Sequence, residues 1–181
     1  MSTETERMLE EMQAYRCPRY AQLPEIPLYR DQVLDALERY TAPFFFGQGE
    51  PLLTAAMINN YVKLQLIEPP VKKRYERDQI ARLYFICLLK QVMSISELRD
   101  LLAIQRRSYP LEQAYDYFCT ELEKALQATF RTRDFSLPSS AQKTTAESEL
   151  VRSLALCFAN KMFTLKFIQL YPGEGGPQNA E

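Results

Sequence analysis

Two adjacent asparagines, Asn59 and Asn60, are closely followed by Lys63, Lys72, Lys73, Arg74 and Arg77. An asparagine carboxamide can pair bidentately with N6 and N7 of adenine, while lysine and arginine neutralise phosphates and release counterions. These are the residue types of a duplex-DNA contact. Between residues 54 and 77 the five basic residues meet only Glu68 and Glu76, giving that stretch a charge of +3 in a chain whose formal net charge is −1. No global field draws such a chain to nucleic acid or to an anionic membrane, so any basic site must be local. Taken singly, paired asparagines on a helix or a "KKR" turn are more often solvated surface. Their order around a capped helix and a proline turn favours function.

Other chemistries find less support. Histidine is absent, and Cys17, Cys87, Cys119 and Cys157 are scattered without a C-x-x-C pair. A zinc site would need four thiolates from distant segments, so no metal is expected and the cysteines read as reduced, mostly core thiols. All five glycines lie before Glu50 or after Pro172. A phosphate-cradling glycine loop is thereby excluded from the middle of the chain. The carboxylates sit at ordinary surface-helix spacing, so no enzyme and no cofactor is expected. The acidic "MSTETERMLEEMQ" start lacks a signal-peptide core, which makes a cytoplasmic location the expectation. The apolar stretch 153–171 contains Lys161 and Lys166. A lysine near the bilayer centre costs roughly 2.5–3.5 kcal/mol, so a buried or subunit-contacting helix is expected rather than a membrane span.

The elements that would position the basic stretch can be read from periodicity. Residues 1–22 read as a partly helical, peripheral segment. The spacing of Val33, Leu34, Leu37 and Tyr40 predicts a helix over 28–40, followed by a loop, "TAPFFFGQGEP", whose phenylalanines tuck inward. Thr54 suits the N-cap of a helix carrying Ile58 and Tyr61 inward and Asn59, Asn60 and Lys63 on other faces. Pro69 and Pro70 must end it, leaving a short extended excursion that returns with Lys72, Lys73, Arg74 and Tyr75. Residues 77–93 are apolar on most of their circumference and predict a buried hub. Ser94 and Glu97 form a capping box opening a further helix. A stripe from Leu111 to Phe130, a polar linker with Pro138, a last helix over about 145–170 and a disordered tail over 172–181 complete a mainly α chain.

With these residues placed, residues 52–102 resemble the DNA-binding unit of MerR-type regulators, and residues 23–104 are more closely similar to a bacterial family of uncharacterised proteins with a MerR-like fold. "MINNYVK" followed by "PPVKKRY" carries the likeness. It aligns Ile58 with a core leucine, Asn59 with a DNA-contacting arginine, Asn60 and Tyr61 with a tyrosine pair, and Arg74 and Tyr75 with the R-Y ending the wing. Ile80 and Leu83 take core positions of the next helix, and Ser94 and Glu97 the cap of its successor. Gln65 stands where MerR-type regulators prefer a glycine, so the helix end must differ or be strained. The run 66–75 is several residues shorter than the usual wing.

The resemblance implies a winged helix-turn-helix over 23–105 that binds double-stranded DNA as a transcriptional regulator, through Thr54, Asn59, Asn60, Lys63, Lys72, Lys73, Arg74 and Tyr75. The helical region 106–171 would serve as a bundle or a homodimerisation unit, because its apolar surface exceeds what one short bundle needs. The alternative is an adaptor that uses the same fold for protein contacts. A small-molecule effector between the C-terminal helices would meet Tyr115, Phe118, Phe158 and Phe163, although such aromatics are more often simply core.

Overall fold

Helix α4 (Arg77–Leu89) has almost no hydrophilic side. In the computed structural model, which describes residues 3–45 and 51–170, its Ile80, Ala81, Leu83, Tyr84, Ile86, Cys87, Leu88 and Leu89 are all fully buried. This is the hub that the sequence predicts, ending at Leu89 rather than running to Met93. A tight turn through residues 90–93, closed by Met93 N–H donating to Leu89 at 2.9 Å, then delivers Ser94 to its cap.

Around the hub lie α1 (Thr3–Ala14), β1 (Leu28–Tyr29), α2 (Arg30–Phe45), α3 (Ala55–Lys63), β2 (Arg74–Tyr75), α5 (Ile95–Ser108), α6 (Leu111–Gln127) and α7 (Ala146–Leu170). Helix is the dominant structure, and β1 pairs with β2 as a two-stranded antiparallel sheet in the register Leu28 with Tyr75 and Tyr29 with Arg74. One continuous hydrophobic cluster takes residues from both 23–105 and 106–170. No helix among the described residues is long and apolar enough to cross a membrane. The expected tail, 172–181, lies outside the described residues.

Three expectations are corrected. The N-terminal segment is not peripheral: Met8 and Met12 are buried, and the Tyr15 hydroxyl donates to the Tyr40 carbonyl at 2.7 Å and lies 2.6 Å from the buried Tyr84 hydroxyl. Residues 17–20 are fixed by carboxylates of α6, since Glu123 accepts from the Cys17 amide and pairs with Arg19, while Asp116 accepts from the Tyr20 amide. The helix expected from residue 28 starts at Arg30, because Leu28 and Tyr29 are drawn into the sheet. That helix also continues through Pro43 to Phe45 instead of breaking into a loop at residue 41. Proline forfeits a backbone bond there. The compensation is Phe44, whose buried ring packs 4.4 Å from that of Tyr15 and 5.0 Å from that of Phe158. Phe46 to Glu50 of the expected loop lie outside the described residues.

Other elements match their sequence signals. Ser94 accepts from the Glu97 amide at 3.3 Å and Glu97 from the Ser94 amide at 2.7 Å, completing the predicted capping box and holding the Glu97 carboxyl below its usual range. Helix α6 buries Tyr115, Phe118, Leu122 and Leu126, then closes in a π-type turn over Ala128–Thr132. Helix α7 packs against it, with Leu154, Ala155, Phe158, Ala159 and Met162 inward.

The end of α3 shows how a stretch without glycine stops a helix. Gln65 adopts φ 58°, the Leu66 amide donates back to Tyr61 at 2.9 Å and the Gln65 amide to Val62 at 3.0 Å. That is a Schellman motif, and the two residues whose side chains accompany it, Leu66 and Tyr61, are both buried in the core cluster. A side chain in this conformation costs roughly 1–2 kcal/mol, which glycine avoids at some entropic cost. Gln65→Gly is therefore expected to raise the urea unfolding free energy by about 1 kcal/mol, and Gln65→Val to lower it.

Candidate nucleic-acid interface

Thr54 sits in extended backbone before α3, and its hydroxyl accepts from the Met57 amide at 3.2 Å. It is a structural cap whose side chain is already engaged. Beyond it, Ile58 and Tyr61 point into the core, and burial pushes the Tyr61 phenol up to about 12. Anchoring on that side leaves Ala56, Asn59, Asn60 and Lys63 exposed. Their spacing of three, four and seven places them in one stripe along the helix. The side chains of Asn59, Asn60 and Lys63 make no hydrogen bond or ion pair with a described residue. The stripe holds two free carboxamides, one free ammonium and one small methyl.

The second group is carried by a two-residue hairpin. Val71 and Arg74 exchange backbone hydrogen bonds at 3.0 and 2.9 Å, and the residues between them, Lys72 and Lys73, have φ of 49° and 66°. Two successive positive φ values mark a type I′ turn, which normally selects Asn-Gly. Here two lysines occupy it, both exposed and without a described partner. Arg74 is tied differently: its guanidinium donates to the Tyr29 hydroxyl at 3.0 Å and lies 4.7 Å from the centre of that ring. Tyr75 is only 3% exposed. It anchors the hairpin in the core and cannot contact a groove, which corrects the expectation that it is a contact residue. Arg77 also leaves the free set, since its guanidinium lies over the Tyr20 ring at 5.5 Å.

The hairpin is fastened to α4 chiefly through one side chain. The Gln79 amide group donates to the carbonyls of Glu68 at 2.8 Å and Pro69 at 3.1 Å, and its oxygen accepts from the Glu76 amide at 2.7 Å. Glu68 adds ion pairs to Arg82 at 2.8 Å and Arg106 at 3.6 Å. Arg106 also donates to the Leu66 carbonyl at 3.2 Å, just past the end of α3.

Sequence reasoning missed Ala56, Tyr29 and Arg106. Ala56 was legible, because it lies three residues before Asn59. Tyr29 acquires its position only through the pairing of β1 with β2, and Arg106 only through the packing of α5; neither leaves a local signal.

A family described as a domain of unknown function (DUF1836) matches residues 18–118, more than half of the chain. That stretch contains α3, the hairpin and α4. No curated protein and no solved structure matches the chain.

Gln79→Met keeps the volume and deletes the amide, leaving two carbonyls and one amide of the hairpin base without partners. It is expected to cost roughly 2–4 kcal/mol in chemical denaturation and to accelerate hydrogen exchange at the Val71 and Arg74 amides.

Proposed function

The chain belongs to the DUF1836 family, and we propose that it binds double-stranded DNA as a transcriptional regulator, with a MerR-like winged helix-turn-helix formed by α2, α3, the hairpin and α4. The observation that carries this reading is the Lys72 and Lys73 turn. Each lysine stands where the backbone favours glycine or asparagine, at a cost of order 1 kcal/mol or more per residue. Neither has a described partner that recovers it. Strain kept at an exposed pair of cations is understandable if the charges are needed there.

The helix α3 suits the companion role. Its nine residues rise about 13 Å, enough to follow several base steps in a major groove. Asn59 and Asn60 would read adenine edges, the Ala56 methyl would meet thymine methyls, and Lys63 would take a phosphate. The two-residue hairpin tip is too short for deep insertion into a minor groove, so Lys72 and Lys73 are assigned to phosphates. Thr54 and Tyr75 position these groups without touching DNA, and Arg74 reaches a phosphate only by leaving Tyr29. A homodimer belongs to the same reading. Its support is Ile168, 59% exposed near the end of α7, since the other large apolar side chains of α6 and α7 are at least partly covered within the chain among the described residues.

A protein-binding adaptor is the second reading. It is favoured by Ile26, Tyr29 and Val71, which expose 72%, 49% and 61% of their surface on and beside the sheet.

Selection from a random duplex library, followed by anisotropy titrations at several salt concentrations, separates the two. For DNA binding, Lys72→Asn with Lys73→Gly is expected to raise folding stability by about 1 kcal/mol or more while lowering the salt slope by roughly two. Gaining stability and losing affinity together would show that the turn is kept for its charge. Asn59→Ala with Asn60→Ala is expected to weaken the selected site at least tenfold and leave the slope unchanged. No enriched sequence and no salt-dependent retention by the folded wild type would discard the DNA reading in favour of the adaptor.

A further inference from the structure

Between α4, α5, the first half of α6 and residues 140–151 lies a cavity of about 330 Å³. That is within the range of small-molecule sites. Its wall is mainly apolar, formed by Phe85, Leu101, Leu111, Leu150 and Val151 among others. Of the four aromatic residues that the sequence suggested for an effector pocket, only Tyr115 borders it. Phe118 and Phe158 are fully used in the core, against Phe85 and Phe44, and Phe163 packs on Phe130 and Phe167.

The charge of this wall is not balanced. Arg82 lines the cavity with only 11% of its side chain exposed, yet its carboxylate partner, Glu68, is 52% exposed and shared with Arg106. One half-solvated carboxylate therefore serves two guanidiniums. Only one terminal nitrogen of Arg82 is engaged, and its Nε is buried with no hydrogen-bond partner. A second wall residue, Gln105, buries an unpaired Oε1, an acceptor that would meet a donor such as a bound water rather than the anion. Native interiors rarely leave such atoms orphaned. Lys143 adds another cation to the lining. The one lining carboxylate, Glu147, is already held in its charged form by hydrogen bonds at the start of α7.

We propose that this cavity binds a small organic acid, with an apolar body against Phe85, Leu101 and Val151 and a single carboxylate toward Arg82. The carboxylate supplies the anion that Glu68 only partly provides, in a forked geometry that guanidinium favours. Because Arg82 holds Glu68 at the hairpin base, the acid and Glu68 compete for one guanidinium. On the DNA-binding reading, this competition makes the cavity an effector site; the binding claim itself does not depend on that reading.

The test uses the full chain with 4-phenylbutyrate and the uncharged 4-phenyl-1-butanol in isothermal titration calorimetry. One saturable acid site per chain is expected, at least tenfold tighter than the alcohol. Arg82→Met should remove that difference, and Val151→Trp should abolish binding of both in a chain that circular dichroism shows to be folded. If Arg82→Met does not fold, Glu68→Gln provides the second arm, tightening the acid several-fold and leaving the alcohol unchanged. Absence of saturable binding to the wild type, equal affinity for acid and alcohol, or acid binding that survives Val151→Trp would overturn the proposal. None of these outcomes involves DNA, so failure here is distinguishable from failure of the regulator reading.

Discussion

A chain without a glycine between Glu50 and Pro172 must still reverse direction, and the cost of doing so shapes the whole region that connects α3 to α4. Gln65, Lys72, Lys73 and Arg133 all take up positive φ. For an L-residue with a Cβ each such position is uphill, so the surrounding contacts must over-determine it. At Gln65 the two back-donated amides and the burial of Leu66 and Tyr61 do so. Arg133 is secured by its amide donating to Ala128 at 2.8 Å and by its guanidinium 3.9 Å from the Phe163 ring centre. The lysines have the reciprocal bonds of Val71 and Arg74, and behind those the sheet and Gln79. Local strain and distant packing are thus one problem, solved from the core outward.

The core can bear that load because α4 is enclosed on nearly every side. Residues immediately before and after a fully buried helix inherit its rigidity, so Tyr75, one residue from the N-cap Glu76, is pinned in place and β2 with it. β1 is then recruited by β2 rather than by any propensity of its own. Two-residue strands have little independent stability. Through this chain of dependence, Tyr29 reaches Arg74, and the exposed hairpin is fixed to the same hub that receives Tyr15 and the aromatic face of α6.

How far the sequence is legible follows from how local each cause is. The caps at Thr54 and Ser94, the buried circumference of α4 and the stripe on α6 are produced by residues within a turn or two of one another, and all four were readable. The helical character of α1 was read in part but its burial was not, because only Thr5, Met8 and Met12 mark its inner face and two methionines carry a weak signal. Pro43 was read as a breaker since propensity acts locally, whereas the rings that hold Phe44 come from residues 15 and 158. Tyr75 was misassigned for the opposite reason: a motif fixes a residue's place along the chain and says nothing of which way its ring turns. For the candidate site, the composition of the α3 stripe and the turn was visible in advance. The division of that composition into free and committed side chains was not.

That division is the most informative property of the charged residues. Arg82 and Arg106 share Glu68, Arg74 is laid on Tyr29, Arg77 on Tyr20, and Arg19 on Glu123. Each of these arginines has a planar partner, a carboxylate or a tyrosine ring, and contributes to holding segments together, a use for which guanidinium is well suited. Lys63, Lys72 and Lys73 have none among the described residues. Flexible, strongly hydrated ammonium groups left free on a helix stripe and a hairpin tip contribute no described contact to the fold, yet two of them occupy backbone positions that penalise them. On the proposed reading, these residues that the fold neither uses nor favours answer to a polyanion that also presents base edges, with the free ammonium groups on its phosphates and the exposed carboxamides on its bases.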